Sequence, residues 1–180
     1  MSAVLFLESL PLAAQEDNTG VGIATLSAGA GFGVGVHGSY GASLADAATK
    51  HVLAFVDFSY SPLTSYAFTY GTNNAGKGLY TSSLFDINGG IRIRFPNRTH
   101  WVPYIGVGAG LLRFDSTSNT SGFGTTASIS QSNNEIAGNA SVGGLYYITG
   151  HIGIQIEAKG YVAHPRHFGR ATAGLFFQFP

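Results

Sequence analysis

Residues 85–95 alternate without a break, with Phe85, Ile87, Gly89, Ile91, Ile93 and Phe95 on one parity and Asp86, Asn88, Gly90, Arg92 and Arg94 on the other. A period of two is the signature of a β-strand, whose successive side chains point to opposite faces. The split recurs in residues 154–161, where Gln155, Glu157, Lys159 and Tyr161 alternate with Ile154, Ile156, Ala158 and Gly160. It returns again where Arg170, Thr172 and Gln178 alternate with Ala171, Ala173, Leu175, Phe177 and Phe179. A water-soluble sandwich also alternates, but its polar face meets water and is rich in Lys and Glu. Here the strand charges sit among glycines and other small residues, and the opposite face carries almost nothing polar. The pattern is that of a barrel turned inside out, apolar toward lipid and polar toward its own interior.

Composition supports that reading. Charged residues make up 10% of the 180-residue chain, against about a quarter in ordinary soluble domains. Nine basic and nine acidic side chains cancel, which leaves no electrostatic footprint for nucleic acid. The 26 glycines, 13 Phe and 9 Tyr favour aromatic, glycine-rich β-structure. The chain has no Cys, so disulfides and thiolate metal sites are excluded.

No apolar run is long enough for a transmembrane helix. The nearest candidate, residues 26–36, has Gly at 29, 31, 33 and 35, each costing a helix about 1 kcal/mol relative to Ala. A strand explains those glycines better. Eight strands are predicted, at residues 25–37, 51–60, 64–70, 80–95, 101–114, 135–148, 151–162 and 168–179. Short turns are expected at 61–63, 96–100 and 149–150, and loops rich in Ser, Thr, Asn and Gly at 38–50, 71–79, 115–134 and 163–167. Short connections at one end and longer ones at the other suit an outer-membrane barrel with periplasmic turns and extracellular loops. An even strand number puts both termini at the periplasmic end. Residues 1–14 read as a truncated signal peptide, with apolar Ala3 to Leu7 followed by Pro11-Leu12-Ala13-Ala14 as a cleavage region. Residues 15–23 would then be a periplasmic N-terminal segment and 24–180 the barrel.

Two stretches carry a family resemblance. Trp101-Val102-Pro103-Tyr104-Ile105-Gly106-Val107-Gly108-Ala109-Gly110 resembles the Pro-Tyr-apolar-Gly-x-Gly-x-Gly strand of the small eight-stranded outer-membrane β-barrels of the OmpA/OmpX type. The stretch Ala173-Gly174-Leu175-Phe176-Phe177-Gln178-Phe179 resembles that family's closing strand. The resemblance runs from Thr25 to Phe179. It implies an all-β, antiparallel, up-and-down transmembrane barrel in the outer membrane of a Gram-negative-type cell. The implied partners are outer-membrane lipids and lipopolysaccharide, with the barrel-assembly machinery engaging the C-terminal strand. No cofactor is implied.

Seven charges fall at predicted inward positions: Asp57, Asp86 and Glu157 against Arg92, Arg94, Lys159 and Arg170. Unpaired charges in a narrow lumen are costly, so they are expected to pair across it. They could act as a switchable gate or as a packed polar plug that fixes register, and an eight-stranded interior, which side chains can fill, favours the plug. Gly29, Gly31, Gly33 and Gly35 on the first strand, and Gly106, Gly108 and Gly110 on the fifth, would be thin walls that make room for it. Tyr60, Phe95, Trp101, Tyr104 and Phe179 are expected as aromatics at the periplasmic membrane interface, with Tyr66, Tyr70 and Tyr146 adding to the two girdles. Tyr66, Phe68 and Tyr70 are predicted to face outward.

His37, His51, His164 and His167 map to the extracellular rim. Loop histidines are more often solvated than metal-binding, and no metal site is assigned. No phosphate loop, His-Glu-x-x-His motif, paired-carboxylate motif or convincing Ser-His-acid set is present, so catalysis is not expected. The expected role is membrane-structural or surface-binding, with an unidentified extracellular ligand chosen by the loops, 115–134 above all. Three alternatives are a narrow pore for ions or small solutes, a lipid A-modifying enzyme and a soluble lipocalin-like carrier.

Overall fold

The computed structural model describes residues 20–33, 35–71, 76–122, 125–164 and 167–180. The expected signal peptide, 1–14, and residues 15–19 of the expected segment before the barrel lie outside the described residues, and the last two residues of that segment, Gly22 and Ile23, already belong to the first strand. The described chain forms β1 (Gly22–Phe32), β2 (His37–Ala47), β3 (Val52–Tyr70), β4 (Gly76–Arg94), β5 (Trp101–Gly122), β6 (Thr125–Tyr147), β7 (Ile152–Ala163) and β8 (His167–Phe179). Each strand pairs antiparallel with the next, and β1 pairs with β8, so the sheet closes into an eight-stranded barrel. Closure leaves no strand edge within the ring, so its backbone groups pair between neighbouring strands, as lipid requires.

Gly22 pairs with Phe179, so both ends of the barrel chain meet at one end of the ring. That terminal end also holds the β2–β3, β4–β5 and β6–β7 connections. Side chains nucleate them: the hydroxyl of Thr49 accepts from the backbone N–H groups of His51 and Val52, and Thr149 does the same for His151 and Ile152. Asn97 Oδ1 accepts from Thr99 N at 2.8 Å in the remaining turn.

The total of eight strands matches the expectation, but the N-terminal third is threaded differently. The first strand ends at Phe32, because Gly33 and Gly35 adopt φ of 113° and 90° and turn the chain. His37, expected to end the first strand, and residues 38–47, expected as loop, form β2. Residues 51–60 and 64–70, expected as two strands around a turn, are one strand, β3. The expected turn at 61–63 is an irregularity within it: Pro62 pairs with Ser83 and Thr64 with Ser82, so Leu63 is an extra residue. Proline cannot donate to the ladder, and a bulge is a common way to accommodate it. Segment 51–60 therefore runs opposite to expectation, from the terminal end toward the distal end.

Strand lengths are unequal. β1, β2, β7 and β8 have 11 to 13 residues, whereas β3 to β6 have 19 to 23. The expected loop 115–134 is largely a continuation of β5 and β6, and residues 76–79 of the expected loop 71–79 belong to β4. β2 follows β3 only as far as Tyr60, and β7 joins β6 only from Ala137. Beyond those points β3 to β6 stand alone as a four-stranded wall above the shorter half of the ring.

Outward positions of the ring are apolar and exposed, among them Leu26, Val56, Ile91, Val107, Ile156 and Leu175. On β5 this face runs from Trp101 to Leu111 and then turns polar at Arg113 and Asp115. That apolar stretch has the length of a tilted transmembrane strand, roughly 9–11 residues. Inward rows pass through three zones. Near the terminal end Ile23, Leu53, Phe55, Val102, Leu145 and Phe176 belong to one apolar cluster. Near the distal end Leu84, Leu112, Phe114, Ala137, Tyr161 and Phe168 belong to another. Polar and charged side chains fill the level between them.

Candidate functional site

The middle zone is a belt of ion pairs. Arg92 reaches Asp57 Oδ1 at 3.2 Å and Glu157 Oε2 at 3.0 Å through one guanidinium nitrogen. Lys159 pairs closely with Asp57 and lies 3.2 Å from Glu157 Oε1. The hydroxyl of Tyr104 donates to Glu157 Oε2 at 2.9 Å and accepts from Gln155 Nε2 at 2.8 Å, and Thr25 donates to Gln155 Oε1. Aromatic faces support the cations: Arg92 Cζ lies 4.3 Å from the Phe55 ring centroid and Lys159 Nζ 5.0 Å. A second knot centres on Asp86, which takes Arg170 Nη1 at 3.3 Å, the Tyr161 hydroxyl at 3.3 Å, and close hydrogen bonds from Ser59 and Asn88.

Asp57, Asp86, Arg92, Arg94, Glu157, Lys159 and Arg170 are thus all placed inside, and all but Arg94 form ion pairs with one another. Arg94 departs from the expectation of pairing across the lumen. Among the described residues it meets no carboxylate. It donates to the Thr49 carbonyl at 3.3 Å and bonds Tyr147, tying the lumen wall to the β2–β3 turn. Without Arg94, the belt has one cation for each carboxylate.

β5 makes room for the belt. A Cβ on Gly106 would stand 2.6 Å from Ser141 Oγ and 3.2 Å from Arg92 Cγ, and one on Gly110 would stand 2.6 Å from Asn88 Oδ1. On β1, Gly31 lies beneath the ring of inward-facing His37. Gly33 and Gly35 serve the β1–β2 turn instead of a thin wall.

The interface aromatics divide. Phe95, Trp101 and Phe179 are exposed at the terminal end, as is Tyr146, which pairs with Trp101. Tyr104 is 1% exposed and belongs to the lumen, because β5 places even-numbered residues inward and Glu157 and Gln155 satisfy its hydroxyl. Tyr60 faces outward but lies toward the distal end, a consequence of the reversed direction of 51–60. There it pairs with Tyr40 and Phe85, and Phe85 pairs with Arg113, where the outer face turns polar. The reversal also moves His51 to the terminal end, away from His37, His164 and His167, and its Nδ1 lies 3.3 Å from the Arg94 carbonyl.

Tyr66 and Tyr70 do not join a girdle. The extra residue at Leu63 shifts parity, so Tyr66 pairs with Tyr80, and Phe68 and Tyr70 pair with Gly78 and Gly76. These positions continue the lumenal face of β4 through Ser82 and Leu84. On the wall's outer face, Arg113 Nε and Ser132 Oγ donate to Asp115 at 3.0 Å and 2.6 Å. The Ser132 hydrogen bond, then the Arg113 hydrogen bond, holds the Asp115 carboxyl below the ordinary carboxylate range.

No family model matches the sequence, and no curated protein matches it. Solved structures do match the fold. Neisserial surface protein A is similar over 89% of this chain and 98% of its own, with a TM-score of 0.62 at 15% identity. This chain is an eight-stranded transmembrane β-barrel. The attachment invasion locus protein Ail of Yersinia pestis aligns over 89% of this chain and 99% of its own, with a TM-score of 0.53 at 12% identity. The N-terminal β-barrel domain of OprF from Pseudomonas aeruginosa aligns over 91% and 100%, with a TM-score of 0.51 at 19% identity. The barrel thus has the architecture of small outer-membrane β-barrels, in agreement with the OmpA/OmpX-type resemblance of its fifth and closing strands. At these identities the likeness speaks for fold.

Proposed function

We propose that this protein is a non-catalytic, integral outer-membrane barrel that holds a binding wall outside the cell, with both termini in the periplasm. The observation that carries this reading is the unequal height of the ring. β5 continues from Arg113 to Gly122 past its apolar band, roughly 30 Å of extended chain. An antiparallel sheet of that height, paired strand by strand, is a rigid platform, and residues displayed on it are held for recognition. Similarity to Neisserial surface protein A and to an attachment invasion locus protein is in keeping with surface exposure.

The lumen supports a plug in preference to a pore. Ions crossing it would have to displace Phe55, Leu145 and Phe176 at one end and Leu112, Phe114 and Phe168 at the other, with a neutralised belt between.

The chain has no cysteine, so single cysteines report sidedness cleanly. A membrane-impermeant maleimide added to intact cells should label Ser118→Cys on the wall and leave Asn97→Cys in the β4–β5 turn unlabelled until the outer membrane is permeabilised. Labelling of Asn97→Cys alone on intact cells would reverse the topology, and recovery of the protein without detergent would remove it from the membrane.

A further inference from the structure

The lumenal face of the wall differs from everything around it. Tyr66, Phe68 and Tyr70 rise along β3 with ring centroids 6.0 Å and 6.4 Å apart in succession, and Tyr80 joins Tyr66 at 5.2 Å. A Cβ on Gly78 would run into the Phe68 ring, and one on Gly76 into the Tyr70 ring. Both rings therefore lie across the neighbouring strand on bare backbone; Tyr70 is exposed, and Phe68, like Tyr80, is half-buried. Tyr66 is 51% exposed and Tyr70 38%, and Ile129 across the wall is 71% exposed. Exposed rings held in a row on a rigid sheet mark an interaction surface.

The surroundings define what fits. Thr64, Ser82, Ser116, Ser118, Thr120 and Gln131 share this face with the rings. Among the described residues of the face beyond Glu135 there is no Lys, Arg, Asp or Glu. Lys77, Arg113 and Asp115 all stand on the opposite face. Such a surface has nothing to neutralise a sulfate, phosphate or carboxylate. It offers aromatic faces for polarised C–H groups and hydroxyl or amide groups for neutral hydrogen bonds. Pyranose rings have this dual character, with a C–H face for stacking and a hydroxyl rim.

We infer that the aromatic shelf formed by Tyr66, Phe68, Tyr70 and Tyr80 binds an uncharged oligosaccharide. This inference rests on the proposed surface display of the wall. A polar sugar chain suits a strip that is flanked by Ser and Thr and open on the low side of the ring, where β1, β2, β7 and β8 end.

The test uses the full chain in zwitterionic nanodiscs, since sugar-headed detergents would compete. Maltohexaose, chitohexaose and laminarihexaose are titrated, with a heparin hexasaccharide for comparison, and the aromatic side-chain resonances are followed. At least one neutral probe should shift the Tyr66, Phe68 and Tyr70 signals. Tyr66→Ala with Tyr70→Ala should weaken its binding roughly tenfold or more, while Tyr66→Phe retains it and the barrel amide spectrum stays unchanged. Failure of all three neutral probes at millimolar concentration would overturn the inference. So would tighter binding of heparin, indifference to loss of the rings, or burial of the shelf by a second copy in a concentration-dependent dimer. If Ser118→Cys is labelled on intact cells and no neutral probe binds, only this inference falls. If that cysteine is inaccessible, the surface reading falls with it.

Discussion

Tyr60 and Tyr66 have the same parity on one continuous strand, yet they face opposite sides of the sheet. Tyr60 pairs with Phe85 on the outer face, and Tyr66 pairs with Tyr80 on the lumenal face, because Leu63 is unpaired between them. Deleting Leu63 should remove the irregularity, let Thr64 follow Pro62 directly in the same register, and leave Tyr66, Phe68 and Tyr70 on the lumenal face. The check is the ring-to-ring nuclear Overhauser contact between Tyr66 and Tyr80, which should be strong in the native chain and kept in the deletion, whereas its loss would mean that Leu63 is not the extra residue.

Breaking the belt should be expensive. Arg92→Met leaves Asp57 and Glu157 buried and sharing Lys159 as their one remaining ion-pair partner among the described residues, and removing one partner of a buried pair costs about 3–5 kcal/mol. Arg94→Met should cost less, since it removes hydrogen bonds to the Thr49 carbonyl and Tyr147 and strands no carboxylate. Urea unfolding of the two variants from lipid vesicles measures the difference directly.

The lumen should not conduct. Planar bilayers containing the native protein are expected to show no discrete channel steps, and Arg92→Ala should not produce them while the apolar clusters around Phe55 and Phe114 remain. Steps in the native protein whose size changes with Arg92→Ala would favour the gate over the plug.

Asp115 should titrate below an ordinary carboxyl. Its depressed folded-state pKa stabilises the β5–β6 hairpin above the unfolded carboxylate value, near 3.9, and that contribution disappears as pH falls through the folded value. Carboxyl carbon shifts should place the Asp115 midpoint below the ordinary aspartate range, and Ser132→Ala should raise it.

These particulars show what the sequence made legible. The alternation in β4, β7 and β8 was readable because Ile and Phe line one face and charges the other, so both the barrel and its inward charges could be inferred. β2 was not, because Gly38, Ser39, Gly41, Ala42 and Ser43 have the composition of a loop, and pairing with β1 and β3, not β-propensity, makes them a strand. Ser61-Pro62-Leu63 looked like a turn for the same local reason, and that error reversed one segment and misplaced Tyr60 and His51. Tyr104 was drawn to the interface by residue type, though its parity with Gly106 and Gly108 already pointed inward. The aromatic shelf was hidden because a one-residue bulge changes which face a whole segment presents.

The lipid-facing band can be challenged by a single substitution. Ile91, exposed between Ala54 and Val107, should tolerate Arg only at a cost of about 2–4 kcal/mol near the midplane. Thr117→Arg on the wall should be nearly neutral.

The most direct test of the whole account is paramagnetic broadening in nanodiscs whose lipids carry a spin label deep in the acyl chain. Amides of Leu26, Ile91, Val107 and Ile156 should broaden strongly, while those of Thr117 and Ser130 on the wall remain sharp. Sharp signals throughout the ring, or broadening that reaches Thr117 and Ser130, would contradict a lipid-embedded barrel with its wall in water.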